Sequence, residues 1–207
     1  MSDLDHLKTR VTEAVDRMAE ELWSLALRIH ANPELAFKEE KAAAWLTEFL
    51  ERQGCRVERG VGGLPTAFRA EVPGTGDGPT IAVMAEYDAL PGIGHACGHN
   101  VIATAGAGAG AALAVVAGSL AQARLPYGGR IAVVGTPAEE GGAGKVKLMD
   151  AGVFRNVDAA MLLARNGLGG EWHLAYHEFM QLHLQARVIY VDAYNMPQFV
   201  VIENDTL

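Results

Sequence analysis

Three short and almost uninterrupted apolar segments constrain the fold of this chain more than any other feature. They are TIAVMA at 80–85, RIAVVG at 130–135 and AAMLL at 159–163. Strands of this composition are typically buried on both faces, as in a parallel sheet. Helical sequence separates them, at 101–122 and 143–151. This alternation predicts an α/β fold with a mainly parallel central sheet and flanking helices.

The first third of the chain predicts two amphipathic helices. Apolar residues recur at spacings of three and four from Leu4 to Ile29, which indicates one long helix with a single buried stripe. This helix is expected to end near His30, because the Asn32-Pro33 pair disfavours helical continuation. The other elements expected here are a helix from about Lys38 to Gly54 and strands at 55–59 and 66–72.

The composition excludes several classes of protein. Half of the 207 residues are hydrophobic and 20% are charged, so the chain can bury a core and is not globally disordered. Its 17 Lys and Arg against 25 Asp and Glu give a net charge of −8, and the basic residues are scattered, so no nucleic-acid-binding face is expected. Two cysteines, Cys55 and Cys97, cannot form a disulfide-rich scaffold. Because the first residues lack the apolar core of a signal peptide, a cytoplasmic protein is expected.

The uncharged segment from Val101 to Leu120 leaves a membrane-spanning helix as an alternative. Its length fits a bilayer, but Gly106, Gly108 and Gly110 dilute its hydrophobicity and neither flank carries a basic anchor. A buried crossover helix, whose small residues allow close approach to a sheet, explains the segment better. We therefore expect no membrane association.

Two chemically dense loops follow predicted central strands. The first loop, AEYDALPGIGHACGHN, carries four residues capable of chemistry: Asp88, His95, Cys97 and His99. The second loop, GTPAEEGGAG, carries the adjacent carboxylates Glu139 and Glu140. Because loops at the carboxyl ends of strands converge on one crevice in an α/β sheet, these two loops are expected to meet.

Together, the two loops offer the ligands of a metal site. Cys97 and His99 supply a thiolate and an imidazole, and a carboxylate completes a set suited to zinc or a similar ion. One of two adjacent glutamates can bind the ion while the other moves a proton from the attacking water to a leaving amine. Each residue alone has an ordinary structural explanation, such as a small buried thiol or a solvated charge at a helix start. The combination favours metal-assisted hydrolysis.

Three motifs, taken together, resemble one family of enzymes. They are RIHANPELAFKEEKAAAWLTEFLERQG at 28–54, EYDALPGIGHACGHN at 86–100 and GTPAEEGGAGKVKLMDAGVF at 135–154. In this order they are similar to the amino-terminal half of the metal-dependent amidohydrolases, a zinc-exopeptidase-type family that includes aminoacylases and carboxypeptidases. Within the family they most resemble the branch of the aminobenzoyl-glutamate hydrolase B subunit and dipeptidase-like proteins. The resemblance covers residues 1 to about 163.

The resemblance implies hydrolysis of an amide bond in an N-acyl amino acid or dipeptide, with a pair of divalent ions, commonly zinc or manganese. It implies three metal ligands: Cys97, His99 and Glu140. Glu139 would be the general base, and Asp88 would orient the metal-binding loop. Two further motif residues receive no ligand role: His95 and Asn100. The expected partner is the small substrate, with no nucleic acid or membrane, and a homo-oligomer is possible.

The sequence departs from the family pattern after residue 163. The branch places a ligand histidine near the positions of Ala164 and Arg165, and neither is a histidine. The lid domain and a final ligand histidine are not recognisable either. We therefore expect a partial catalytic domain at 1–163, a divergent tail at 164–207, and a fold that is incomplete at its carboxyl end. The alternative function is a truncated, catalytically inactive remnant that folds and binds a partner or a single metal ion.

Overall fold

The structure, a computed structural model, describes residues 3–163 and the backbone of two further strands. These are β6, Arg187–Tyr190, and β7, Val200–Glu203, which pair antiparallel. The predictions about the rest of the 164–207 tail, including the missing histidine near Ala164, lie outside the described residues.

The elements of the described region follow the predicted order. The helices are α1 Asp3–His30, α2 Glu40–Arg52, α3 His99–Gln122, α4 Glu139–Gly142 and α5 Gly144–Asp150. The strands are β1 Arg56–Arg59, β2 Phe68–Pro73, β3 Gly76–Ala85, β4 Gly128–Gly135 and β5 Ala159–Met161. A short 3₁₀ turn, Val61–Gly63, joins β1 to β2. The single predicted helix at 143–151 is preceded by the separate short helix α4.

Strands β1 to β5 form one sheet in the order β1-β2-β4-β3-β5. β3 pairs in parallel with both β4 and β5, whereas β2 is antiparallel to both of its neighbours, β1 and β4. Four of the five strands therefore point the same way. The α/β fold with a mainly parallel sheet is confirmed, and the reversed β2 is a feature that apolar patterning alone does not encode.

Helices cover both faces of this sheet. On one face, side chains of α1, α2 and α3 pack against Phe68 and Val133. On the other face, Leu148 of α5 packs with Ala132 and Val134. Successive residues of β4 thus face opposite cores, which explains why the strand is apolar at consecutive positions.

The first helix ends where the sequence predicts. Its last residue is His30, and the Asn32 side chain donates a hydrogen bond to the carbonyl of Arg28 at 2.9 Å. This bond satisfies one of the carbonyls that the helix end leaves without a partner. Pro33 follows directly, in the segment that leads the chain toward α2.

Helix α3 is the apolar segment that raised the membrane alternative. It is long and apolar enough to span a bilayer, with a mean hydropathy of 1.8, but 67% of the most apolar window is buried inside the protein. A Cβ added at Gly106 would lie 2.7 Å from the carbonyl oxygen of Met84, and one at Gly110 would overlap the side chain of Val133. The small residues therefore allow α3 to lie directly on the sheet, as a core helix does.

The carboxyl ends of β3 and β4 lie side by side. Ala85 is the register partner of Gly135, and Thr136 donates its N–H to the carbonyl of Ala85 at 2.8 Å. The loop that leads from β3 to α3 and the loop that leads from β4 to α4 therefore leave the sheet at adjacent points.

Candidate metal centre

His99, Glu139 and Glu140 come together at this edge of the sheet. His99 begins α3, after a left-handed Gly98 with φ 81°, and the two glutamates begin α4. Nε2 of His99 lies 3.7 Å from Oε2 of Glu139 and 3.8 Å from Oε1 of Glu140. One possible ligand atom from each residue lies within 4.8 Å of the other two. The structure thus brings a histidine of the first loop against both glutamates of the second.

Asp88 connects the two loops. Its side chain is almost fully buried; Oδ1 accepts the N–H of Glu139 at 3.0 Å, and Oδ2 accepts the N–H of Glu140 at 2.9 Å. The main-chain carbonyl of Asp88 lies 2.9 Å from Nδ1 of His99. Because a carbonyl can only accept, Nδ1 carries a proton, and Nε2, which faces the glutamates, offers a lone pair to a metal ion when the ring is neutral. With these three contacts, Asp88 can orient both glutamates and the ring of His99.

Glu86 is a further acidic side chain at the site, and sequence reasoning did not single it out. It is 2% exposed, and its Oε2 lies 3.6 Å from Nε2 of His99. Its other oxygen forms an ion pair with the buried Lys145 of α5. The sequence feature that could have identified Glu86 is its position immediately after Ala85, the last residue of β3. A lone glutamate has no pattern of its own, and its burial cannot be inferred from its neighbours in sequence.

The remaining residues of the first loop have different surroundings. Cys97 is half-buried and does not belong to the three-residue group. Burial, and then the carboxylate of Glu140, raise the pKa of the Cys97 thiol to about 12. His95 is buried, with its ring centroid 6.4 Å from that of His30. Asn100 donates its side-chain N–H to a main-chain carbonyl of α1 at 3.2 Å, so it fixes α3 to α1.

Neighbouring carboxylates set the protonation of the site. Burial disfavours the charged form of His99, but the hydrogen bond to Asp88 and the charge of Glu86 raise its pKa to about 9. Burial and the charge of Glu86 also raise the pKa of Glu139, and Lys145 offsets part of this effect. A carboxylate with a raised pKa accepts and releases a proton more readily near neutral pH, as a general base must.

This donor set fits a divalent cation. The separations of 3.7 and 3.8 Å between Nε2 and the two carboxylates are too long for hydrogen bonds. Two ligands that each lie about 2.1 Å from one tetrahedral ion are about 3.4 Å apart. A lone pair that faces carboxylates repels them unless a proton or a cation stands between them. His99, Glu139 and Glu140 therefore suit an ion.

A cavity of about 670 Å³ opens beside Glu139. Its wall includes the ring of Phe37, the glycine-rich segment 141–144 and Lys147, whose Nζ lies 4.9 Å from the centre of the Phe37 ring. Cavities of this volume accommodate small molecules. A small molecule in this cavity would lie against Glu139.

Comparison with known proteins gives relatives of one kind, although no family model matches the chain. The Xaa-Arg dipeptidase of Mus musculus is 43% identical over 169 residues, which cover 78% of this chain and 38% of that protein. The B subunit of the p-aminobenzoyl-glutamate hydrolase of Escherichia coli (strain K12) is 32% identical over 204 residues, which cover 90% of this chain and 41% of that protein. The chain thus spans about two fifths of the length of these curated relatives.

A solved structure shares the fold. The Bacillus subtilis YXEP protein, described as a dinuclear metal binding peptidase from the M20 family, matches with a TM-score of 0.60 at 24% identity. The match covers 91% of this chain and 64% of that chain. This likeness supports the fold, and the sequence relatives support the family that the three motifs indicate.

Proposed function

Because the chain belongs to the metal-dependent amidohydrolase family, we propose that it hydrolyses the amide bond of a small N-acyl amino acid or dipeptide at a two-metal site. Two relatives support this substrate class, one named a dipeptidase and the other a hydrolase of p-aminobenzoyl-glutamate. The observation that carries the proposal is that Nε2 of His99 faces Glu139 and Glu140 within one compact group. The proposed ions are zinc or manganese.

The residues of the site have separate roles in the proposed reaction. His99, Glu140 and Cys97 would hold the metal, which when bound activates water for attack and polarises the amide carbonyl. Glu139 accepts a proton from the attacking water as the new C–O bond forms. It delivers that proton to the nitrogen as the C–N bond breaks, so the amine leaves neutral. Asp88 holds the backbone amides of both glutamates, which keeps their side chains directed at the site.

Substitution of each glutamate tests these roles separately. We expect Glu139→Gln to lower kcat about 100-fold or more, because general acid–base catalysis contributes roughly 10²–10⁴-fold, while metal content stays near that of the unmodified chain. Glu140→Gln should lower both metal content and kcat. The assay is release of amino acid from a dipeptide panel and from aminobenzoyl-glutamate, with zinc, manganese or cobalt added.

Glu48→Gln is the matched control, because Glu48 is an exposed glutamate of α2 and should be neutral. Hydrolysis that survives Glu139→Gln, or that persists after the metal is removed, would contradict the proposed mechanism. A chain that binds one ion and hydrolyses nothing would instead support the alternative of an inactive remnant.

A further inference from the structure

Glu39 is a buried carboxylate outside the proposed metal-binding group. It precedes α2 and is fully shielded from solvent. Its Oε1 accepts the N–H of Phe37 and the N–H of Ala138, both at 2.9 Å, and its Oε2 accepts the hydroxyl of Thr66 at 2.9 Å. Buried carboxylates are retained in proteins when donors satisfy them in this way. The bond to Ala138 joins residues 99 positions apart in the chain.

The hydrogen bond to Ala138 fixes an unusual backbone conformation. Ala138 has φ 59° and ψ 46°, in the left-handed region, and it directly precedes Glu139. Residues other than glycine rarely adopt this conformation, and it persists only where the surroundings impose it. The carboxylate of Glu39 holds the amide of this residue in place.

Two carboxylates hold three consecutive amides of this turn. Glu39 accepts the N–H of Ala138, and Asp88 accepts the N–H groups of Glu139 and Glu140. The direction in which a side chain leaves the backbone follows from the conformation of its own residue and the one before it. The two glutamates therefore depend on both carboxylates for their orientation toward His99.

The same oxygen of Glu39 fixes a second left-handed residue. Phe37 has φ 61°, and its ring occupies the space that a Cβ on Gly142 would need. Phe37 also lines the cavity beside Glu139. Glu39 thus ties the segment before α2 to the turn before α4, beside the cavity that Phe37 and Glu139 line.

We propose that Glu39 is a positioning residue for the hydrolysis, because its buried carboxylate sets the turn at Ala138 that aims Glu139 and Glu140 at the metal. This inference rests on the proposed function. Glu39 touches neither substrate nor metal in this account and acts through the backbone of the turn.

Three substitutions separate positioning from general stability. Glu39→Leu removes both acceptors and is expected to lower kcat and Co²⁺ affinity about tenfold or more, as loss of supporting hydrogen bonds at metal sites does, with KM changed less than about twofold. Glu39→Gln keeps a carbonyl oxygen for the amides of Phe37 and Ala138, so it should restore kcat and Co²⁺ affinity to within about threefold. Thr66→Val removes only the bond to Oε2 and should leave kcat unchanged.

A readout independent of hydrolysis is hydrogen–deuterium exchange of the full chain in the peptide that contains residues 138–142. Glu39→Leu should speed exchange there, whereas Thr66→Val should not. If Glu39→Leu does not fold, Glu39→Asp decides, because it keeps the charge and withdraws the oxygen from Ala138 by about one bond length. It should speed exchange in the same peptide and weaken Co²⁺ binding.

The outcomes distinguish this inference from the proposed function. An unmodified chain that neither binds Co²⁺ nor cleaves any substrate refutes the function, and exchange at 138–142 then still decides whether Glu39 holds the turn at Ala138. Normal exchange and normal Co²⁺ affinity in both Glu39→Leu and Glu39→Asp would overturn the inference. It would also be overturned if Thr66→Val lowered kcat as far as Glu39→Asp does.

Discussion

At the scale of single residues, the site depends on a few buried acids with distinct partners. Asp88 holds the amides of Glu139 and Glu140 and supports His99 through its carbonyl. Glu86 faces His99 with one oxygen and Lys145 with the other. So much negative charge around one imidazole is unfavourable unless a proton or a cation balances it. Protonation and metal binding therefore compete for His99.

Replacement of Asp88 by asparagine tests its orienting role. The new amide group can accept only one of the two backbone N–H bonds and opposes the other with its own N–H. We expect metal affinity and kcat to fall about 10- to 100-fold, as they do when supporting partners of metal ligands are lost. Calorimetric metal titration and steady-state kinetics measure both quantities.

Asp158→Asn is the control for this substitution. Asp158 also accepts a backbone N–H, from Thr80 at 2.7 Å, but near the middle of β3 and away from its carboxyl end. The same chemical change there should leave metal affinity and kcat unchanged. Equal losses of kcat in the two variants would show that the effect of Asp88→Asn is not specific to the site.

The raised pKa of His99 predicts a pH dependence in the metal-free chain. With a pKa of about 9 in the folded state against an ordinary value of about 6.5, the bound proton stabilises the folded state. This contribution is complete below pH ~6.5 and is lost as the pH rises through about 9. In urea unfolding of the EDTA-treated chain, the free energy of unfolding should fall over that interval by on the order of 3 kcal/mol.

His99→Asn removes the titrating group and should remove this part of the pH dependence. If the unmodified chain and His99→Asn gave parallel curves over the same pH interval, the carboxylates would not be stabilising a charged imidazole. Metal binding should also release protons and strengthen as the pH rises, because a ligand imidazole must be neutral.

At the scale of elements, the position of α3 determines where His99 lies. The helix packs directly on β3 and β4 because glycines stand at its contacts with the sheet, including Gly106 and Gly110. Its first residue, His99, is therefore held at the carboxyl end of these strands, next to the turn that begins α4. Any change that lifts α3 from the sheet should move His99 away from the glutamates.

Two glycines of α3 give opposite predictions. Gly110→Ala places a methyl group against Val133 and should lower the free energy of unfolding by about 1–3 kcal/mol, as overpacking does. Gly118 has nothing within 4 Å of an added Cβ, so Gly118→Ala should raise it by about 0.5–1 kcal/mol through helix propensity. Urea denaturation measures both. A stabilising Gly110→Ala would show that α3 does not approach the sheet this closely.

At the scale of the whole molecule, sequence patterns predict those features that depend on local periodicity. The end of α1 at His30 and the strands at 80–85 and 130–135 follow from apolar spacing and from Pro33. The convergence of two loops follows from the general geometry of parallel sheets. Glu39 is different: it lies beside the exposed Glu40, and a bond across 99 residues leaves no mark in local sequence. The reversed direction of β2 is set by the same kind of long-range pairing.

The central claim is that His99 and Glu140 hold a cation beside Glu139. The most direct measurement is anomalous diffraction at the zinc absorption edge from crystals of the full chain grown with zinc. The account predicts a peak within about 2.5 Å of Nε2 of His99 and of a carboxylate oxygen of Glu140. A peak elsewhere, or none at saturating zinc, would contradict it.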